Sequence, residues 1–101
     1  MSASSTFSII IPTAGRLSSL RRCLISLDLN RPRATSAWQG LIVDNNSDPL
    51  RSSAVQQLVT LFPDFAYGKC ESPGLTAARH FGLEKAKTDV LCYVDDDVEF
   101  T

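Results

Sequence analysis

Apolar and polar residues alternate along the chain in blocks that predict four short strands separated by helices. The predicted strands are Phe7–Ile11, Gly40–Val43, Phe65–Lys69 and Val90–Val94. The first, second and fourth are mainly apolar runs, which are typical of strands covered on both faces. The third contains fewer apolar residues and is the weakest of the four strand predictions.

Three helices are predicted between these strands, because apolar residues recur there at helical spacing. Arg16–Asp28 carries leucines every three or four residues. Asp48 followed by Pro49 is a typical N-cap and first-turn pair, and the helix that it starts is predicted to end at Pro63. In Leu75–Lys87, small residues recur every four positions, which would let that helix approach a sheet closely. The small residues are Ala78, Gly82 and Ala86.

The element order β-α-β-α-β-α-β predicts an α/β fold with a mostly parallel sheet, because helix-length connections return each strand in the same direction. In a 3-2-1-4 strand order, the first and last strands are neighbours at the point where the winding reverses. Ligands of open α/β sheets bind at the carboxyl ends of the strands beside that point. Three polar clusters are predicted at this edge: Pro12-Thr13, Asp44-Asn45 and Asp95-Asp96-Asp97.

Length and composition indicate one small domain over residues 1–101 and exclude several classes of partner. The net charge of -1 offers no basic surface for nucleic acid or for acidic lipid. No stretch approaches the ~20 apolar residues of a membrane span, and the N-terminus does not resemble a signal peptide. The three cysteines are far apart, as in proteins that keep their thiols reduced. The sequence therefore predicts a cytoplasmic location.

The acidic triplet Asp95–Asp97 directly follows an apolar strand. Like charges this close repel one another and are costly to desolvate. A divalent cation reverses that balance, because Mg²⁺ and Mn²⁺ favour carboxylate oxygens and are commonly shared with substrate phosphates. Considered alone, the triplet is also compatible with a solvated acidic turn.

Four segments, in this order, resemble the nucleotide-binding half of family 2 glycosyltransferases with the GT-A fold: SIIIPTAGRLSSLRRCLISL, GLIVDNNSD, SPGLTAARHFGL and VLCYVDDDVEF. The similarity extends from about Phe7 to Phe100. Each segment alone is a weak signal, whereas four at the right intervals are specific. The resemblance implies a Rossmann-like half-domain that binds a nucleotide-diphosphate sugar. It also implies inverting sugar transfer to a glycan, lipid or protein acceptor.

The same resemblance assigns the acidic triplet to a metal ion and to the donor. Asp95-x-Asp97 matches the DXD motif of the family. By that resemblance Asp97 binds Mg²⁺ or Mn²⁺ directly, and Asp95 and Asp96 contact the ribose or hold the waters of the metal. The cation would neutralise the diphosphate and stabilise the charge that develops as the glycosidic bond breaks.

The resemblance also assigns residues to the nucleotide. Asp44 and Asn45 are expected to recognise the base, since a carboxylate and an amide can both accept a hydrogen bond from a pyrimidine N–H. The other expected nucleotide contacts are Pro12, Thr13, Arg16 and Arg79. Among these, Thr13 offers a hydroxyl to the base, and the guanidinium of Arg79 suits phosphate oxygens.

Two departures from the family pattern affect these expectations. Ala14-Gly15 stands where the family often has Tyr-Asn, and Asn45 replaces an acidic residue, so the preference for uridine is open. The acceptor site and the general base of the family lie beyond Thr101. We therefore expect a donor-binding, N-terminal and incomplete domain that binds donor nucleotide but does not transfer sugar efficiently by itself.

Other protein classes fit less well. A dehalogenase-type phosphatase opens with its DxD strand, a receiver domain has its acids after the first strand, and a dinucleotide-binding domain needs GxGxxG in its first turn. A non-catalytic nucleotide- or metal-binding fragment, or a remnant of a glycosyltransferase, remains an open alternative. We also expect self-association, because the last predicted strand would leave an apolar edge unpaired.

Overall fold

The computed structural model describes residues 6–30, 37–72, 74–85 and 90–96, which form one sheet flanked by helices. The strands are β1 (Thr6–Thr13), β2 (Ala37–Asp44), β3 (Phe65–Lys69) and β4 (Val90–Tyr93), and the helices are α1 (Leu17–Asn30), α2 (Pro49–Val59) and α3 (Leu75–Lys85). All strand pairs are parallel, in the order β3-β2-β1-β4. The predicted α/β class and strand order are confirmed.

The strand register brings the carboxyl ends of β1 and β2 level with each other. These strands pair from Thr6 opposite Ala37 to Thr13 opposite Asp44. Strand β4 pairs with β1 only as far as Ile10 opposite Tyr93. The polar residues that follow β1, β2 and β4 therefore meet at one edge of the sheet.

Strand β1 extends two residues beyond its predicted end at Ile11, through Pro12. Prolines are avoided in central strands because they cannot donate to the ladder. The carbonyl of Ile10 accepts a hydrogen bond from the amide of Val94, whereas the carbonyl of Thr13 accepts one from Asn45. Because backbone polar groups alternate in direction along a strand, the backbone nitrogen of Pro12 faces β4. The pairing of β4 with β1 has already ended at Ile10. The missing N–H of Pro12 therefore interrupts no ladder.

The core has two layers, one on each face of the sheet. Ile9 and Ile11 of β1 pack with buried residues of α1 and α2. Ile10, which points the other way, packs with Ala78 of α3. This alternation is what a strand covered on both faces requires.

The small-residue face of α3 allows the close approach predicted from the sequence. Ala78 is fully buried. A Cβ on Gly82 would lie 2.5 Å from Cγ2 of Ile10, so a larger residue would force the helix away from β1. Ala86, the third member of the stripe, lies outside the described residues.

Helix α2 begins as predicted. Asp48 is its N-cap, and its carboxylate accepts a hydrogen bond from the amide of Leu50 at 3.0 Å. The helix ends at Val59, before Pro63, and β2 begins at Ala37, three residues earlier than predicted. Within the described ranges, no helix has both the length and the apolar character needed to cross a bilayer.

Candidate functional site at the carboxyl edge of the sheet

A cavity of about 830 Å³ opens at the carboxyl edge of the sheet, where the winding reverses. Its volume falls in the usual range of small-molecule sites, ~300–1,000 Å³. It is lined by Pro12–Arg16, Ser19, Asn45–Asp48, Arg51, Gly74, Leu75, Ala78, Asp95 and Asp96. The predicted site residues that reach it are Pro12, Thr13, Arg16, Asn45, Asp95 and Asp96.

The start of each described helix contributes to this lining. Arg16 immediately precedes α1, Asp48 caps α2, and Leu75 opens α3. The first N–H groups of a helix have no partner within the helix and carry partial positive charge, which favours anions. Arg16 and Arg51 add two full positive charges at the same cavity.

The acidic segment after β4 reaches the cavity from the opposite side of β1. Asp95 is exposed and Asp96 is half-buried. The Thr13 hydroxyl donates a hydrogen bond to Oδ2 of Asp96 at 2.7 Å, so this hydroxyl orients a carboxylate and is not turned towards a base. Asp97, the expected direct metal ligand, lies outside the described residues. Within the part of the chain that is described, no three metal-ligating side chains cluster.

Asp44 is not among the residues that line the cavity, and its expected contact with the base stays a prediction. Its side chain is fully buried. Its Oδ1 accepts hydrogen bonds from the backbone amide and the Nδ2 of Asn46, at 2.9 and 2.8 Å. Its Oδ2 accepts one from the Tyr67 hydroxyl at 2.5 Å. The carboxylate is held between β2 and β3 because its partners lie there.

These contacts determine the protonation states of Asp44 and Tyr67. Burial by itself raises the pKa of Asp44, but hydrogen bonds from Tyr67 and Asn46 outweigh it, and the pKa lies below its ordinary value of 3.8. Burial, then the hydrogen bond to Asp44 and its charge, raise the pKa of Tyr67 to about 12. The Ser52 hydroxyl lies near both groups and favours their charged forms. It is buried, and among the described residues it has no hydrogen-bond partner of ordinary geometry. At neutral pH Asp44 is therefore charged and Tyr67 neutral.

Asn45 lines the cavity with a fixed amide orientation. Its Nδ2 donates to the carbonyl oxygens of Cys70 and Ser72, at 3.1 and 2.7 Å. A side-chain amide carries two N–H groups, so both are in use. The remaining polar atom is Oδ1, which can only accept a hydrogen bond.

Arg79 is exposed on α3 and does not line the cavity. Its guanidinium lies 5.9 Å from the centre of the Tyr93 ring, and the Tyr93 hydroxyl donates to the Arg79 carbonyl at 3.0 Å. The Tyr93 ring offers a cation–π contact at the β4 edge of the sheet, which lies across β1 from β2. A nucleotide contact by Arg79 stays a prediction.

Sequence reasoning missed several residues of the lining. Asn46, Ser47 and Asp48 follow β2 in one polar run, and this run was itself a signal that more than Asp44 and Asn45 would reach the edge. Arg51 lies three residues after the N-cap Asp48, in the first turn of a helix whose start was predicted at the same edge. The position of Arg51 at this edge could therefore have been predicted from the start of the helix.

This architecture is that of a Rossmann-like α/β domain, and comparison with known proteins agrees with it. The sequence profile described as Glycosyl transferase family 2 matches residues 8–101. The chain therefore belongs to this family, as the resemblance predicted. Comparison with curated protein sequences finds no match.

Solved structures that share this fold include GT-A glycosyltransferases. The mannosyltransferase PcManGT from Pyrobaculum calidifontis, in complex with GDP-Man and Mn²⁺, is 21% identical with a TM-score of 0.70; the match covers 93% of this chain and 28% of that one. S. aureus TarS is 21% identical with a TM-score of 0.65, over 91% of this chain and 16% of that one. TarS 1-349 in complex with UDP is 19% identical with a TM-score of 0.59, over 91% and 27%. The chain thus spans less than a third of the length of these structures.

Proposed function

We propose that the chain binds a nucleoside-diphosphate sugar in the cavity, as the donor-binding half of a glycosyltransferase, together with Mg²⁺ or Mn²⁺. The observation that carries the proposal is that groups of both charges line one cavity. Its lining includes the carboxylates of Asp95 and Asp96, the starts of three helices, and Arg16 and Arg51. A diphosphate bridged to a divalent cation is complementary to such a set of groups.

The cation would be held by Asp95 and by Asp97, which lies outside the described residues. Two further features make the segment suitable. Asp95 is exposed, so its oxygens are accessible, and Asp96 is oriented by Thr13. Hard carboxylate oxygens are the ligands that these cations prefer. When bound, the cation would neutralise the diphosphate and stabilise it as a leaving group.

The base would bind at Asn45. Because its Nδ2 is used by Cys70 and Ser72, Asn45 offers the acceptor Oδ1 alone. Uracil and guanine carry a ring N–H that can donate to such an acceptor, whereas adenine and cytosine present an acceptor nitrogen at the corresponding position. We therefore propose a uridine or guanosine donor. The similar structures in complex with GDP-Man and with UDP carry bases of this kind.

For the complete enzyme we propose inverting transfer of the sugar to a glycan, lipid or protein acceptor. This step needs a positioned base for the acceptor hydroxyl, a contribution of ~10²–10⁴ in rate. We assign that base to no described residue. A non-catalytic nucleotide-binding role is therefore the second candidate, and a sugar-transfer assay on the natural full-length product separates the two.

Calorimetry with UDP, GDP, ADP and CDP, each in Mn²⁺ and in EDTA, tests the proposal. We expect UDP or GDP to bind in Mn²⁺ at least tenfold more tightly than ADP and CDP. The Asn45→Ala variant should reduce this ratio towards one, while Glu84→Gln, an exposed change on α3, should keep it. Absence of binding by all four nucleotides, or equal affinity for all four, would contradict the proposal.

A further inference from the structure

The loop after β2, Asn45–Asp48, lines the cavity and is fastened to both neighbouring strands. Towards β1, the backbone N–H of Asn45 donates to the Thr13 carbonyl at 2.7 Å. Towards β3, the Lys69 ammonium donates to the Asn46 carbonyl. The position of Asn45 at the cavity therefore depends on contacts outside the cavity.

The buried Asp44 carboxylate is the centre of these contacts. One of its oxygens holds the backbone and the side chain of Asn46, and the other is held by Tyr67. Asn46 is 5% exposed and still lines the cavity, so it connects the carboxylate to the site. Tyr67 does not line the cavity, and its half-buried ring packs against the core beneath α2.

We propose that Tyr67 is a positioning residue for the nucleotide site, which acts through the Asp44 carboxylate on the Asn45–Asp48 loop. The inference rests on the proposed function, since it concerns the affinity of the same site. The hydroxyl fixes the second carboxylate oxygen and thereby the plane of the group that Asn46 binds. Without it, the carboxylate can rotate, and the loop loses one of its anchors to β3.

The charge of Asp44 is part of this role, because a carboxylate accepts stronger hydrogen bonds from N–H groups than a neutral carboxyl. The Tyr67 hydrogen bond is one of the causes that lower the Asp44 pKa. Its loss raises that pKa and makes the loop sensitive to acid at a higher pH. The other charged groups near the pair or its loop are Lys69 and Glu71 after β3, Asp48 and Arg51 at α2, and Asp96 on Thr13.

The test compares Tyr67→Phe with Tyr93→Phe. Each variant loses one hydroxyl and keeps its ring, but the Tyr93 hydroxyl donates to a backbone carbonyl of α3 away from the cavity. Three quantities are measured: affinity for UDP and GDP in Mn²⁺, the pH at which affinity falls by half on acidification, and hydrogen exchange of the Asn46 amide. In Tyr67→Phe we expect roughly tenfold weaker binding, an acid midpoint moved to higher pH, and faster exchange. Tyr93→Phe should match the wild-type chain in all three.

The outcomes separate the inference from the proposed function. If the wild-type chain binds neither nucleotide, the proposed function fails and the inference fails with it, whatever the exchange rate. If the wild-type chain binds and Tyr67→Phe has the same acid midpoint and Asn46 exchange, the positioning role is overturned. A uniform loss of stability without a shift of the acid midpoint would also overturn it, because a purely structural hydroxyl predicts that result. If Tyr67→Phe does not fold, Tyr67→His, which restores an N–H donor, is compared with Tyr67→Leu, which has none. Equal nucleotide affinity and equal acid midpoints in these two variants would then overturn the positioning role.

Discussion

The carboxyl ends of β2 and β4 carry the same chemistry in opposite surroundings. Asp44 ends β2, is fully buried and accepts three hydrogen bonds of 2.9 Å or less. Asp95 follows β4, is exposed and offers its carboxylate to the cavity. An aspartate at a strand end thus stabilises the fold where the next strand supplies hydrogen-bond donors. Where no described strand lies beyond it, its carboxylate is accessible to a ligand.

The difference follows from the position of each strand in the sheet. β2 lies between β1 and β3, so its terminal side chain meets Tyr67 from β3. β4 is an edge strand of the described sheet, and of the two described carboxylates that follow it, Asp96 is bonded to β1, through Thr13. Buried carboxylates need such partners because desolvation without hydrogen bonds is costly.

The largest effect is expected for Asp44→Ala. It would leave the Tyr67 hydroxyl and two N–H groups of Asn46 buried without their acceptor. Each such group costs about 1–3 kcal/mol, so we expect a loss of at least about 3 kcal/mol from a domain whose total stability is roughly 5–15 kcal/mol. Urea unfolding measures it. A midpoint equal to that of Asp95→Ala would remove the distinction between the two aspartates.

Asp95→Asn should show the reverse pattern. We expect stability within ~0.5 kcal/mol of the wild-type chain, because the side chain is exposed. Affinity for a nucleoside diphosphate in Mn²⁺ should fall at least tenfold, since a charged ligand is lost. Asp97→Asn is expected to be more severe than Asp96→Asn. Calorimetry in parallel with urea unfolding checks this, with Glu84→Gln as the control for loss of one charge.

A smaller effect is expected at alkaline pH. The pKa of Tyr67 is raised from 10.0 to about 12 in the folded chain, so its stabilising contribution is complete below pH 10 and is lost as the pH rises towards 12. The stability difference between the wild-type chain and Tyr67→Phe should therefore shrink over this range. Urea unfolding at several pH values measures it, and Tyr93→Phe gives the reference. A constant difference from pH 9 to pH 12 would argue against the hydrogen bond to Asp44.

Local patterns in the sequence were enough for the fold and for the place of the site. Apolar runs and the Asp48-Pro49 start predicted the elements, and helix-length connections predicted the parallel order. The polar residues at strand ends then indicated the cavity edge. Phe65–Lys69 was the weakest prediction, and it has the observed bounds of β3.

Distant partners explain what the sequence did not predict. Tyr67 lies 23 residues from Asp44, and nothing near Asp44 in the sequence distinguishes it from Asp95. Arg79 contacts Tyr93, which lies 14 residues further along the chain. The sequence motif around Arg79 does not include Tyr93, so it could not indicate this contact. Self-association and the division into an incomplete domain remain predictions.

The most direct test of the proposed cation and diphosphate site is to locate a bound paramagnetic cation. In ¹⁵N-labelled protein with UDP or GDP, Mn²⁺ broadens the amide signals of the residues closest to it. We predict strong broadening at Thr13–Arg16 and at Asp95-Asp96, less at Tyr67 and Arg79, and loss of the effect in Asp95→Asn. Broadening centred elsewhere, or the same pattern in Asp95→Asn, would contradict a cation and diphosphate site at the end of β4.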